Sequence, residues 1–272
     1  MLSILNSISS LTAQNALSST QANLQKTLTQ LSSGLKINSG SDDAAGLAIA
    51  NGLQANISAL TQSSQNASDG IGVLQTADGA LSQVTTLLNR AVTLATEAAN
   101  GGLSTSQSTA LDTEYQSILS EVNQIGSTTN FNGQAVFSAT ALDTFTSDGT
   151  TAGTNTLSTT IGALSSTTLA LNTTDLTSAT NAQAALTAIS AAVSSVAASR
   201  GSIGAAVNQL TASVAVQNTE VTNLTSAENN VQNADIGKTV AQMTQYNVLQ
   251  QTGMAALSQS NQAQQAVLKL LQ

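Results

Sequence analysis

The sequence predicts a mainly α fold: an elongated antiparallel helical bundle or coiled coil, with both termini paired at one end and a small β-hairpin region in the middle. Three observations predict it. First, an apolar stripe with alternating three- and four-residue spacing runs through Leu186, Ile189, Val193, Val196, Arg200, Ile203, Val207, Leu210, Val214, Gln217, Val221, Leu224, Glu228 and Val231, with only Arg200, Gln217 and Glu228 polar. A seven-residue repeat kept this long specifies a helix that offers a narrow seam to another helix. At about 1.5 Å of rise per residue it would be roughly 70 Å long. Second, a stripe of the same kind at Leu74, Ala77, Leu81, Val84, Leu88, Ala91 and Ala95 supplies a partner within the chain. Third, helical patterns at both ends enclose an irregular middle, so the chain must run out and return.

From the N-terminus, Ile4, Ile8 and Leu11 form a short stripe, and Leu17, Leu24, Leu28, Leu31 and Leu35 form another in a shifted register. Gly34 can end that helix in the left-handed conformation. Ser39 or Ser41 can cap the next helix, with Asp42 and Asp43 in its first turn, where the helix dipole favours negative charge. The Leu74 stripe stops at Gly101-Gly102. A third helix reads Leu111, Tyr115, Ile118 and Val122 before Gly126. Asn132-Gly133 between Phe131 and Val136 is a hairpin turn signal. Between residues 138 and 178 the heptads give way to Thr, Ser, Gly, Ala and Asp with scattered Leu and Phe, which allows short strands or an ordered loop and no long helix. After the long seam, Ile236, Val240 and Met243 begin a C-terminal stripe that continues less regularly at Leu249, Met254 and Leu257, then Val267, Leu268, Leu270 and Leu271. Each terminal helix is marginal alone in water and needs the other, or neighbouring copies.

Composition narrows the function. The chain contains no His, Cys, Trp or Pro, so zinc and copper sites and Cys-His or Ser-His-Asp nucleophile systems lack their side chains. Serines beside Lys26, Lys36, Lys238 and Lys269 leave a Ser-Lys arrangement conceivable. No glycine-rich phosphate loop occurs, and the expectation is that the chain is not an enzyme, with no catalytic, cofactor-binding or metal-binding residues. Charged residues make up 7% of the chain against a usual quarter or so, and the net charge of −8 repels nucleic acid. A polar, charge-poor surface offers little resistance to side-by-side packing of copies; the alternative is an ordinary soluble protein. No secretory signal with a basic n-region is visible, and no run of about 18 apolar residues would span a membrane.

The stretch from Leu31, Ser32, Ser33, Gly34 and Leu35 through Asn38 to Asp42, Asp43, Ala44 and Gly46 reads mechanically as a helix-linker-helix joint, or, through its paired aspartates, as part of a metal site. As a string it resembles the N-terminal signature of bacterial flagellin. Asn66-Ala67-Ser68-Asp69-Gly70-Ile71, Thr129-Asn130-Phe131-Asn132-Gly133, Val248-Leu249-Gln250-Gln251 and Ser260-Asn261-Gln262 follow in the family's order. The resemblance covers roughly residues 1 to 137 and 180 to 272.

What the resemblance implies is a structural subunit that is exported unfolded by the flagellar type III apparatus and self-assembles into the extracellular flagellar filament for motility. Residues 1–40 with 235–272 would form the filament-core coiled coil, 41–137 with 180–234 a helical-bundle domain, and 138–179 a short variable hairpin or loop with no separate outer domain. The terminal assembly residues would be Ile4, Ile8, Leu11, Leu24, Leu28, Leu31, Leu35, Ile236, Val240, Met243, Leu249, Leu257, Leu268 and Leu271. Implied partners are other flagellin copies, the hook-associated junction and cap proteins, an export chaperone on the C-terminal helix, and a host Toll-like receptor; neither nucleic acid nor membrane is implied. Where receptor-sensed flagellins carry a Gln-Arg pair followed by Glu-Leu, this chain has Asn89, Arg90, Thr93 and Leu94. Arg90, Leu94 and Glu114 are the implied receptor contacts, the alternative being a solvated Arg on an outer face packed against the next subunit. The functional alternatives are a hook-filament junction protein and a secreted helical adhesin or effector.

Overall fold

The computed structural model describes residues 8–149 and 156–270, apart from the side chains of Ser9, Gln264 and residues 267–270. Ile4, Leu271 and the side chain of Leu268 therefore lie outside the described residues. Among the described residues, five helices and two small antiparallel hairpins follow in the order α1 (Ile8–Ser33), α2 (Ala44–Ala98), α3 (Thr105–Thr128), β1 (Asn130–Phe131), β2 (Gln134–Ala135), β3 (Leu142–Phe145), β4 (Thr156–Thr159), α4 (Ala179–Gln232) and α5 (Ile236–Leu270). The chain divides into a terminal unit, Met1–Ala55 with Asn223–Gln272, and a central unit, Asn56–Thr222.

In the terminal unit α1 and α5 pack antiparallel. Ser10 Oγ lies 2.8 Å from Ser260 Oγ, a Cβ on Gly253 would sit 3.4 Å from Leu17 Cδ1, and Leu35 bridges Asn233. These pairs keep nearly the same sum of residue numbers, as antiparallel neighbours must. Full burial is confined to a few small or joint-proximal residues, Thr27, Ile37, Ala50 and Thr239 among them. The Leu24 and Leu31 side chains of α1 and Met243 and Leu257 of α5 are half-buried.

The central unit has the larger core. Leu74, Ala77, Leu81, Val84, Leu88, Ala91 and Ala95 are all buried on α2, and Tyr115, Ile118 and Val122 on α3. α3 begins with a reciprocal capping box in which Ser104 accepts from the Gln107 backbone and Gln107 from the Ser104 backbone, satisfying two otherwise orphaned donors. On α4 the heptad column Ile189, Val196, Ile203, Leu210 and Gln217 is buried as expected, but the column at Leu186, Val193, Arg200, Val207 and Val214 is only half-buried. Its place is taken one residue earlier by Ala185, Ala192 and Ala206. The core is shared by α2, α3, α4 and the segment before α4, so the buried arc is wider than a two-helix seam. Small side chains on that arc let backbones approach closely. α4 also contains an 18-residue window of mean hydropathy 1.3. Of that window 28% is buried, and Ile189 and Val196 of α4 sit in the core.

The Asn132-Gly133 signal forms the predicted turn, both residues having positive φ, 50° and 80°, the geometry a two-residue hairpin needs. Residues 160–178 form neither helix nor strand, yet they are a built part of the unit. Ile161, Leu164, Leu171 and Leu176 are buried, and the segment is fastened along α3 in antiparallel order. Asp112 Oδ1 accepts from Leu176 N at 2.8 Å, Gln116 donates to the Thr174 carbonyl, the Tyr115 and Thr174 hydroxyls share a hydrogen bond, and Asn123 Oδ1 accepts from Ser166 N at 2.7 Å. At the far end Gly126 has no room for a side chain, because a Cβ there would overlap the Leu164 carbonyl.

Candidate functional site

The family-like stretch 31–46 is a joint held by a dense set of polar contacts. α1 ends at Ser33, and Gly34 turns the chain at φ 75°, a conformation that costs a residue with a Cβ about 1–2 kcal/mol. The next three residues lie against the break between α4 and α5. Ala234 N donates to Gly34 O at 2.8 Å and Lys36 N to Gln232 O at 2.7 Å, while Lys36 Nζ reaches Asn230 O at 3.4 Å. Gln54, with its amide nitrogen turned inward, donates to both oxygens of Glu228 at 2.8 and 3.2 Å, giving the polar seam residue at 228 its partner.

The two aspartates act differently from the expectation. Asp43, and neither Ser39 nor Ser41, caps α2: its Oδ1 accepts from Gly46 N at 2.9 Å. Asp42 lies before the helix instead of inside its first turn. Its Oδ2 accepts from Asn38 N and Ser39 N, both at 3.1 Å, and its Oδ1 pairs with Lys26 Nζ at 2.8 Å. The reason is geometric: the carboxylate one residue before the helix already satisfies the orphaned backbone donor, so the upstream serines are left to the turn. The hydrogen bond from Lys26, followed by that from the Asn38 backbone, lowers the Asp42 pKa from 3.8 to about 2. Gly46 leaves room for the cap, since a Cβ would stand 2.5 Å from Asp43 Oδ2 and 2.7 Å from Ile37 Cδ1 and would displace the ends of both side chains. Both aspartates are thus engaged by the fold, and no group of three metal-ligating side chains occurs among the described residues. Asp235 repeats the device for α5, accepting from Lys238 N at 3.1 Å.

Along their length away from and beside this joint, α1 and α5 leave large apolar side chains in solvent: Ile8 is 79% exposed, and Leu11, Leu28, Ile236, Val240, Val248, Leu249 and Met254 are also exposed. Of the expected assembly residues, Ile8, Leu11, Leu28, Ile236, Val240 and Leu249 belong to this exposed set. Leu24, Leu31, Leu35, Met243 and Leu257 are half-buried between the helices. Helices of 26 and 35 residues carry only Lys26, Lys238 and Lys269 as charged side chains.

In the central unit, Arg90 Nε pairs with Glu114 Oε1 at 2.7 Å. The pairing raises the Arg90 pKa and lowers that of Glu114, the hydrogen bond being the main cause in both. Arg90, Asn89, Thr93 and Glu114 are exposed. Leu94 is not: it is wholly buried in the core, so the expected contact at Leu94 is corrected. The Leu94 side chain falls on the inner side of α2, one residue from the buried Ala95, and offers no surface. Two polar positions of the long seam find partners on α2. Arg200 binds Asp78 through two hydrogen bonds of 2.7 and 3.2 Å. Gln217 donates to Ser63 Oγ at 3.0 Å and to the Thr146 carbonyl at 2.8 Å, tying the β3–β4 hairpin to the helices. Sequence reasoning missed these partners and the α3 fastenings, because single polar residues far apart in the chain leave no periodic signal.

Comparison with known proteins bears on the same segments. Residues 4–142 match the bacterial flagellin N-terminal helical region, and residues 186–271 the bacterial flagellin C-terminal helical region. The chain belongs to the flagellin family. That family is structural, not enzymatic. The chain is 46% identical over 129 residues to flagellin 1 of Proteus mirabilis, covering 47% of this chain and 35% of the relative. It is 48% identical over 130 residues to the flagellin of Serratia marcescens, covering 48% and 37%. The chain thus spans about a third of the length of these curated relatives. A crystal structure of Bacillus cereus flagellin aligns with a TM-score of 0.49 and 25% identity, covering 56% of this chain and 87% of that one.

Proposed function

We propose that this chain is a structural subunit that self-assembles into the extracellular bacterial flagellar filament, serving motility after export in unfolded form by the flagellar type III apparatus. The observation that carries the reading is the terminal unit: α1 and α5 satisfy each other on one side and leave eight large apolar side chains in solvent. Burying a fully exposed Val, Leu, Ile or Met is worth about 1.5–3 kcal/mol. Eight that are about half exposed amount to something on the order of 10 kcal/mol. Association costs an estimated 4–15 kcal/mol, so the gain favours contacts shared among several copies. Scarcity of charge on these helices means that little desolvation opposes the contact.

In this reading residues 1–40 with 235–272 form the filament core, 41–137 with 180–234 the surrounding bundle, and 138–179 the variable part. The further partners are the hook-associated junction and cap proteins, a chaperone on α5, and a host Toll-like receptor at the exposed Arg90–Glu114 pair. The test is electron microscopy of the purified chain with short filament seeds, beside a version lacking residues 1–36 and 236–272. Filaments from the full chain alone support the reading; a full chain that stays monomeric with seeds present refutes it.

A further inference from the structure

The chain has no Cys, Trp or His, so its methionines are the side chains that a peroxide oxidises most readily by oxygen transfer. Met1 lies outside the described residues, which leaves Met243 and Met254, both on α5. The helix places them differently. Half-buried positions recur at Met243, Tyr246, Gln250, Gly253, Leu257 and Ser260, with the alternating three- and four-residue spacing of a seam. That seam faces α1: a Cβ on Gly253 would sit 3.4 Å from Leu17 Cδ1, and Ser260 Oγ lies 2.8 Å from Ser10 Oγ. Met254 follows Gly253 and is turned about 100° away from it; it is 49% exposed. It shares that flank of α5 with Ile236, about five helical turns earlier, and with Val240, which are exposed as well.

We propose that Met254 is a reversible oxidation site whose sulfoxide blocks the joining of copies through the terminal helices. The inference rests on the filament reading above and adds a modification site to it. The oxidant is a peroxide. The thioether sulfur attacks one peroxide oxygen, the S–O bond forms as the O–O bond breaks, the sulfur gives up two electrons, and the other oxygen leaves as water. Access decides the order, so Met254 reacts ahead of Met243. The product replaces a flexible apolar thioether with a polar, chiral sulfoxide. In the free chain water hydrates the new oxygen and the seam between α1 and α5 is untouched, so the terminal unit keeps its helices. The cost falls on the contact that expels this water, because a buried acceptor without a donor is unfavourable. Between Lys238 and Lys269 the chain has no charged residue, so no cation adjoins Met254 along α5 to bind the oxygen and offset that cost. Reversal takes a methionine sulfoxide reductase, which returns the oxygen as water while a dithiol becomes a disulfide.

The experiment treats the full chain with hydrogen peroxide as monomer, removes the peroxide with catalase and adds filament seeds; the monomer concentration left at steady state reads the strength of assembly. Cleavage after Lys238 and Lys269 releases one peptide, 239–269, that carries both methionines, and tandem mass spectrometry of it reads which sulfur is oxidised. The variant Met254→Leu retains Met1 and Met243, and each protein is compared with its own untreated sample. The expected result is sulfoxide at Met254 well ahead of Met243, with residual monomer about tenfold higher for the oxidised natural chain and changed by less than about twofold for the treated variant. Sulfoxide reductases for both epimers, with dithiothreitol, restore assembly of the natural chain. Oxidation of Met243 first, an oxidised natural chain that assembles like the untreated one, an equal loss in the variant, or a loss that the reductases do not restore overturns the proposal. So does a far-UV circular dichroism signal that falls on oxidation, since the loss would then be unfolding. Absence of filaments from the untreated natural chain overturns instead the filament reading itself, and the peptide still ranks the two sulfurs.

Discussion

Replacing Gly126 with alanine measures how firmly the 160–178 segment is built into the central unit. The new Cβ would overlap the Leu164 carbonyl oxygen and stand 2.9 Å from its carbonyl carbon and 3.3 Å from its Cβ. The obstacle is backbone, so no side-chain rotation relieves it, and the segment must retreat by about 1 Å or more to regain ordinary contact. Overpacking of this kind costs about 1–3 kcal/mol. The retreat also breaks the 2.7 Å bond from Ser166 N to Asn123, worth about 1 kcal/mol, while alanine returns about 1 kcal/mol of helix propensity. The net expectation is a loss of about 1–3 kcal/mol. Gly204→Ala is the control, since it lies inside α4 with no atom within 4 Å of the new Cβ, and it should gain up to about 1 kcal/mol. Urea titrations followed by far-UV circular dichroism read both midpoints. A Gly126→Ala midpoint that moves upward with the control would refute the close approach.

Two more predictions concern the joint and the core. The Asp42 pKa is depressed from 3.8 to about 2 in the folded chain, so its contribution to stability is complete above its ordinary value and is lost as pH falls through the folded one. The unfolding midpoints of the natural chain and Lys26→Met should therefore differ at pH 6 and converge near pH 2; a difference that persists unchanged in acid argues against the pairing. Leu88→Ala, at a wholly buried position, should cost about 2–5 kcal/mol, whereas Ile8→Ala, at a side chain 79% exposed, should leave the monomer's stability within about 0.5 kcal/mol in the same titration.

The helices were legible where one side-chain column repeats, and the hairpin turn where two adjacent residues suffice. Leu74 through Ala95 needed only their spacing to be placed in a core, and Asn132-Gly133 only its need for positive φ. The alanine column at 185, 192 and 206 was not legible, because a heptad search is drawn to the larger Leu186 and Val193 beside it. Arg200 and Gln217 were visible as polar intrusions, but their partners lie 122 and 154 residues away, a separation no local pattern encodes. The 160–178 segment was hidden for a related reason: its contacts with Asp112, Asn123 and Gly126 are individually specified and follow no period. In the signature stretch, the residue types that make a capped joint were readable, but the choice of Asp43 as the cap over the nearby serines depends on where α2 starts in space.

The joint has a consequence for how such a chain can change over time. Its two helix breaks, at Gly34–Lys36 and Gln232–Ala234, are stitched to each other through backbone atoms, so neither break belongs to one strand alone. A residue gained or lost in one linker shifts its backbone groups out of register with their partners, while the opposite linker stays where it was. The bookkeeping of length is therefore shared between two points almost 200 residues apart in the sequence. Substitutions that spare Gly34, Asp42 and Asp43 leave the stitches intact, because these are made of peptide groups; a change of length in either linker does not.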